Sequence, residues 1–165
     1  MIRALLISAT LVILAACAGG GYSAGGGGGV TMGPPPVHAN VATIDVSLVN
    51  HGTTNTPFGT STGYAPAVIT VSVGANSFVQ FHNSDGFAHT ATEIGGSPAQ
   101  FPASDPFTNA ALTQSGATLS GGFTSGALNG GAMSQMLQVD KAGTYLFGCF
   151  FHYASAGMRA AIVAQ

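Results

Sequence analysis

The sequence predicts an all-β protein, a sandwich of short strands, and three observations carry that prediction. Apolar and polar residues alternate with period two in several short runs, Gly, Asn and Asp punctuate those runs, and no stretch carries the apolar periodicity of a long helix. Strands at such spacing, with turn signals between them, favour a β-sandwich. At 165 residues the chain is long enough for one domain with a full core and short for two.

The elements follow in order. Ala42, Ile44, Val46 and Leu48 alternate with Thr43, Asp45 and Ser47, as in a half-buried strand. Ala67 to Val73 gives a second strand with Ile69, Val71 and Val73 on one face, and Gly74-Ala75-Asn76 turns the chain into a third, Phe78 to Asn83. A fourth is expected over His89 to Ile94. Between Gly95 and Gly131 the apolar positions are too scattered to set a register, so loops are expected there, with a short helix near Asn109 to Leu112 and one or two weak strands. Met136 to Val139, Thr144 to Cys149 and Arg159 to Val163 close the set, with Asp140-Lys141-Ala142-Gly143 as a turn.

The first forty residues read differently. Arg3, an apolar run from Ala4 to Ile13 and the small residues Ala15-Ala16 form a secretory signal pattern over residues 1–16. The run is well short of the ~20 residues that span a bilayer core as a helix. Leu14-Ala15-Ala16-Cys17 resembles the lipobox of bacterial lipoproteins, which implies cleavage before Cys17 and lipid on its sulfur. Eight of the twenty-five glycines fall between Gly19 and Gly29, and Pro34-Pro35-Pro36 follows, so residues 17–40 read as a lipidated, flexible tether. Some twenty such residues have an end-to-end distance of about 25 Å. The expected organisation is signal 1–16, tether 17–40 and globular domain 41–165.

Cys17 and Cys149 are the only cysteines, and two separate roles fit them better than a disulfide between leader and domain. Three basic and five acidic side chains leave no stripe of positive charge for phosphate backbones, so no nucleic-acid partner is expected.

The chemistry concentrates in Cys149-Phe150-Phe151-His152-Tyr153-Ala154-Ser155-Ala156-Gly157-Met158, where a thiolate, an imidazole and a thioether lie within ten residues between two strands. His89 stands upstream, after the turn-like Asn83-Ser84-Asp85-Gly86-Phe87-Ala88. Two imidazoles and a thiolate in a trigonal set, with a weak axial thioether, suit copper cycling between its +1 and +2 states. Zinc is the rival metal for a Cys-His-His set, and the loop methionine favours copper. A Cys149/His152 nucleophilic pair is a further alternative, opposed by the absence of an oxyanion-hole signal and by the flanking Phe150 and Phe151. His38, His51 and His82 lack partner spacing and read as structural or exposed, and Met133 and Met136 read as core filling.

Val71-Ser72-Val73-Gly74 with Phe81-His82-Asn83-Ser84-Asp85-Gly86-Phe87-Ala88-His89-Thr90 is similar to the first ligand-bearing half of plastocyanins and pseudoazurins. Ala142-Gly143-Thr144-Tyr145-Leu146-Phe147-Gly148-Cys149 through Met158 is similar to their second half. The spacer between His152 and Met158 is longer than is common there. This resemblance to the cupredoxin family implies a Greek-key β-sandwich and one type 1 copper ion held by His89, Cys149, His152 and Met158. It further implies that Asn83 braces the ligand loop and that the His152 ring edge reaches the surface through an apolar patch. The function implied is a blue copper electron carrier rather than an enzyme, working outside the cytoplasm as a monomer. A redox protein would serve as donor and another as acceptor, and a lipid anchor would hold the carrier to a bacterial membrane. The alternative use of the same ligands is a copper-holding or copper-delivery lipoprotein without redox turnover.

Overall fold

Ten short strands, one turn of α-helix and one 3₁₀ turn, joined by extensive loops, form residues 39–165, the part of the chain described by the computed structural model. Residues 1–38, with the signal, Cys17, most of the tether and His38, lie outside the described residues.

The first sheet has the order β4-β1-β6-β8, formed by β4 (Tyr64–Ala65), β1 (Asn40–Val46), β6 (Ser77–Asn83) and β8 (Leu137–Gln138). β1 and β6 run parallel, with Ile44 beside Phe81 and Val46 beside Asn83. Their alternation is the physical reason for the pairing: Ile44, Val46, Val79 and Phe81 are all fully buried, while Thr43, Asp45, Gln80 and His82 fall on the opposite face. The second sheet, β5-β10-β9-β7, consists of β5 (Val68–Val71), β10 (Arg159–Ala164), β9 (Gly143–Gly148) and β7 (Thr92–Glu93). A separate hairpin joins β2 (Thr53–Thr56) to β3 (Gly59–Thr62).

The main core lies between the two sheets. It unites Ile44, Val46, Val79, Phe81 and Leu137 with Phe147, Ala160 and Ile162. Phe81 sits at its centre, with ring centroids 5.3 Å from Phe147 and 5.9 Å from Phe123. Truncating a ring so placed costs about 3–5 kcal/mol.

β9 and β10 are buried on both faces. Phe147, Ala160 and Ile162 point into the sandwich, whereas Leu146 and Ala161 point into a second cluster with Ile94, Phe101 and Tyr153. Phe58, Val68 and Phe107 pack against that cluster from its edge. Double burial explains why these strands read as continuous apolar runs rather than alternating ones. The segment that hides the outer face includes Phe101 and Phe107, whose apolar positions follow no periodicity because they serve a loop.

That loop-rich middle holds a 3₁₀ turn at Asn109–Leu112, where a short helix was expected, capped by the Thr108 hydroxyl. The weak strands expected between Gly95 and Gly131 are reduced to single bridges, such as Ser115 with Thr124. The expected strand from His89 to Ile94 keeps strand pairing only at Thr92–Glu93, and His89 itself makes one bridge to Leu128.

Candidate metal centre

Two strand ends deliver the site. β6 ends at Asn83, and the turn that follows is tied down by that side chain. Its Nδ2 donates to the carbonyls of Phe87 and Leu128, both at 2.8 Å, and its Oδ1 accepts from the Asp85 amide at 2.9 Å. Asn83 is fully buried. His89 emerges from this turn, also fully buried.

β9 ends at Gly148 and hands over to Cys149. A Cβ at Gly148 would stand 2.5 Å from the Tyr153 ring, so the residue before the cysteine has to be small. The loop then closes on itself. The Cys149 carbonyl accepts from the His152 and Tyr153 amides at 3.1 and 2.8 Å, and α1 (Tyr153–Ala156) adds one helical turn. Gly157, at φ +70°, ends that turn in the left-handed region that favours glycine. The Cys149 amide donates to the Met158 carbonyl at 3.1 Å, which pins the loop's two ends together at the mouth of the sandwich.

The β6 turn and this loop together bring three donor atoms close. His89 Nδ1 lies 3.6 Å from Cys149 Sγ, His152 Nδ1 lies 3.7 Å from the same sulfur, and the two Nδ1 atoms are 3.2 Å apart. A triangle with those sides has its equidistant point about 2.0 Å from every corner, the length of a metal–imidazole bond at ~2.0–2.1 Å. Among the described residues this is the only such group of three His, Cys, Asp or Glu side chains.

The protonation pattern suits a cation. Burial pushes the Cys149 thiol up, against hydrogen bonds from Thr90, Phe151 and His152 that pull it down. A buried thiolate at this place therefore calls for a positive charge beside it. Burial, and then the nearby His89, hold His152 below the usual imidazole range, while Asp85 acts in the opposite sense. A neutral imidazole keeps a lone pair free for a metal. His89 Nε2 is 2.8 Å from Asp85 Oδ2, so its second nitrogen is already engaged. The donor set and its spacing fit one copper ion of the type 1 kind: two imidazole nitrogens and one thiolate, dry on the His89 and Cys149 sides.

Met158 is fully buried and joined to the loop through backbone bonds to Cys149 and His152. Its side chain lies over Gly63, where a Cβ would stand 2.9 Å from Met158 Cε and 3.1 Å from its Cγ. That bare backbone position is what makes room for the thioether chain.

Aromatic rings surround the pair of imidazoles. Phe87 packs 4.9 Å from His89 and 5.8 Å from His152, and Phe151 lies 6.2 Å from His152. Phe87 and Phe151 are exposed, His152 and Phe150 are half-buried, and Tyr153 is wholly buried, with its hydroxyl donating to the Pro102 carbonyl. Met133 and Met136, read from the sequence as core filling, are instead exposed at 44% and 47%. The reason is register: Ser134 and Leu137 take the inward positions, Ser134 accepting from the Phe81 amide, so the two methionines fall outside. His51 and His82 each bond the Asp45 carboxylate, at 2.6 and 2.9 Å, and stand apart from the centre.

The sequence missed two residues beside the donors, Asp85 and Tyr64. Tyr64 is buried, and its hydroxyl donates to the Thr90 carbonyl at 2.6 Å. Asp85, four residues before the candidate donor His89 in a turn, was open to recognition as its partner; Tyr64, far away in sequence, carried no such signal.

No family model and no curated protein matches the chain. Solved structures similar to it include cupredoxins. A purple cupredoxin from Nitrosopumilus maritimus is 19% identical with a TM-score of 0.46, covering 75% of this chain and 99% of that one. A reduced tryptophan-to-tyrosine variant of amicyanin is 16% identical with a TM-score of 0.45, covering 78% and 86%. A Cu(I) methionine-to-alanine variant of amicyanin is 16% identical with a TM-score of 0.43, covering 77% and 82%.

Proposed function

We propose that the protein is a blue, type 1 copper electron carrier working outside the cytoplasm, with His89, Cys149 and His152 as strong ligands and Met158 as the weak axial one. The observation that carries the reading is the convergence of two Nδ1 atoms and one thiol sulfur at metal-bonding spacing, within a largely buried pocket. Bound copper would supply one-electron chemistry between its +1 and +2 states. The chain's own residues do the rest. The β6 turn and the pinned loop fix the donors in one arrangement, which keeps reorganisation small. Phe81, Phe123 and Phe147 fill the core behind them and keep water out. His152 is the more exposed of the two imidazoles, and with exposed Phe87 and Phe151 beside it, it forms the proposed exit for the electron.

Donor and acceptor are proposed to be redox proteins that dock on this apolar rim. Lipid at Cys17 and the tether over residues 17–40 are proposed to hold the domain, residues 41–165, at an extracytoplasmic face of a bacterial membrane, on its periplasmic or cell-surface side. Among the described residues no helix is long and apolar enough to cross one.

One visible spectrum tests the metal assignment. Full-length protein loaded with Cu(II) is expected to absorb intensely at about 600 nm through thiolate-to-copper charge transfer. Cys149→Ser should remove the band, and a colourless wild type, or a mutant that stays blue, overturns the assignment. Rapid reduction by a small redox protein then distinguishes a carrier from a protein that holds copper as redox-silent Cu(I).

A further inference from the structure

Asp85 does nothing in the proposal above except touch His89, yet it is among the most heavily partnered side chains in the domain. Its carboxylate accepts from the Ser47 hydroxyl, from the Leu48 amide at 2.7 Å and from the Val49 amide at 3.4 Å. Its own amide is held by Asn83 Oδ1. Oδ2 faces His89 Nε2 at 2.8 Å, and both side chains are completely buried. Such a carboxylate cannot swing away, and no water competes for the histidine.

An ionised carboxylate only accepts hydrogen bonds, so the imidazole must present its N–H at Nε2. With its Nε2 proton held by Asp85, the ring has Nδ1 as the one nitrogen left to offer a lone pair to a metal. That atom is the one aimed at Cys149 Sγ and His152 Nδ1. Partners of this kind raise ligand basicity and fix ring orientation, and their loss typically costs 10–100-fold in metal affinity.

We propose that Asp85 is the positioning residue of the centre: it locks His89 in the Nε2–H tautomer before any metal arrives, and its buried negative charge favours the more highly charged metal state. The same bonds tie the site to the Ser47–Asn50 turn, because Ser47 Oγ also accepts from the Asn50 amide at 2.9 Å. The orientation of His89 is therefore set from the end of β1 as well as from its own turn.

The inference rests on His89 being a ligand, and its test separates the two. Nitrogen-15 NMR of metal-free, full-length wild type should show His89 as a single Nε2–H tautomer, whatever metal the protein later binds. An Nδ1–H form or a mixture overturns the proposal. Asp85→Asn keeps one acceptor oxygen and the side chain's shape while removing the charge, and should raise the midpoint potential of the copper-loaded protein. An unchanged midpoint removes the charge effect. Asp85→Ala should weaken binding of Co(II), used as a probe that needs no blue copper site, by 10–100-fold. Unaltered Co(II) affinity in a folded variant counts against positioning, while a wild type that binds Co(II) but never turns blue sinks only the copper reading.

Discussion

Thr90 and Cys149 are clasped from both sides of the centre. The Thr90 amide lies 3.4 Å from Cys149 Sγ, and the Thr90 hydroxyl oxygen accepts from the Phe150 amide, one residue past the cysteine, at 2.8 Å. The segment that carries His89 and the loop that carries the thiol are thus joined by one fully buried residue. Thr90→Val keeps the shape and the amide, and removes the hydroxyl, both as acceptor for the Phe150 amide and as a partner of the Cys149 sulfur. The Phe150 N–H is then left without its partner, and the domain should lose about 1–3 kcal/mol. Denaturant unfolding of the metal-free protein measures the loss; Thr90→Ser, which restores an acceptor, should recover most of it.

Glu93, at the end of β7, should make stability depend on pH near neutrality. Burial, and then the charge of Asp140, raise its carboxyl from an ordinary 4.5 to about 7, and its Oε2 has no hydrogen-bond partner. The folded state then binds the proton more tightly than the unfolded chain between those values, so stability falls as pH rises from 4.5 to 7 and levels off above. Glu93→Gln should abolish that slope and stabilise the domain above pH 7 by about 1–2 kcal/mol, a figure discounted for the partial exposure of the group. Thermal melts across this range decide it, and a parallel slope in the mutant would disprove the assignment.

What the sequence made legible was whatever is written locally. The alternation over Val41 to Val46 and Phe78 to Asn83 marks β1 and β6, because each has one face inward. The hairpin Thr53–Thr56 with Gly59–Thr62 went unread because its residues are nearly all threonine, serine, asparagine and glycine, with no apolar face to give a period. Tyr64–Ala65 is too short to carry one. In the site, the donors stood out by residue type, whereas the Tyr64 hydroxyl on Thr90 depends on a pairing of β4 with β1 that no local pattern encodes. The one-turn helix Tyr153–Ala156 lies inside the ligand motif and is too brief for periodicity to reveal.

Partner exchange should respond weakly to salt. Outside the leader the basic side chains are Lys141 and Arg159 alone, and the acidic ones are Asp45, Asp85, Glu93, Asp105 and Asp140, of which Asp85 is buried. Steered encounters lose rate steeply with ionic strength, and this surface has little charge to steer with. Stopped-flow reduction by a small redox protein should therefore change little between low and physiological salt, and Phe151→Asp on the apolar rim should slow it. A steep salt dependence in the wild type would point to a different docking face.

Lipid attachment is tested by mass. Membrane-extracted protein should begin at Cys17 and carry acyl mass, and Cys17→Ala should leave an unprocessed precursor. An unmodified chain beginning elsewhere rules the anchor out.

Met158 decides how the centre is tuned. Its carbonyl closes the ligand loop onto the Cys149 amide, and its side chain fills the space that Gly63 leaves open, so backbone and thioether are both constrained. A thioether that weakly contacts copper stabilises Cu(II) more than no ligand does, and an amide oxygen, being harder, stabilises it further. Met158→Leu should therefore keep the blue band and raise the midpoint potential, whereas Met158→Gln should lower it. Leu matches Met closely in volume, so the first change should cost less than ~1.5 kcal/mol of stability and leave the pocket intact. Cyclic voltammetry on both variants reads the answer: opposite shifts place the sulfur at the metal, and unchanged midpoints in both make Met158 a packing residue against Gly63.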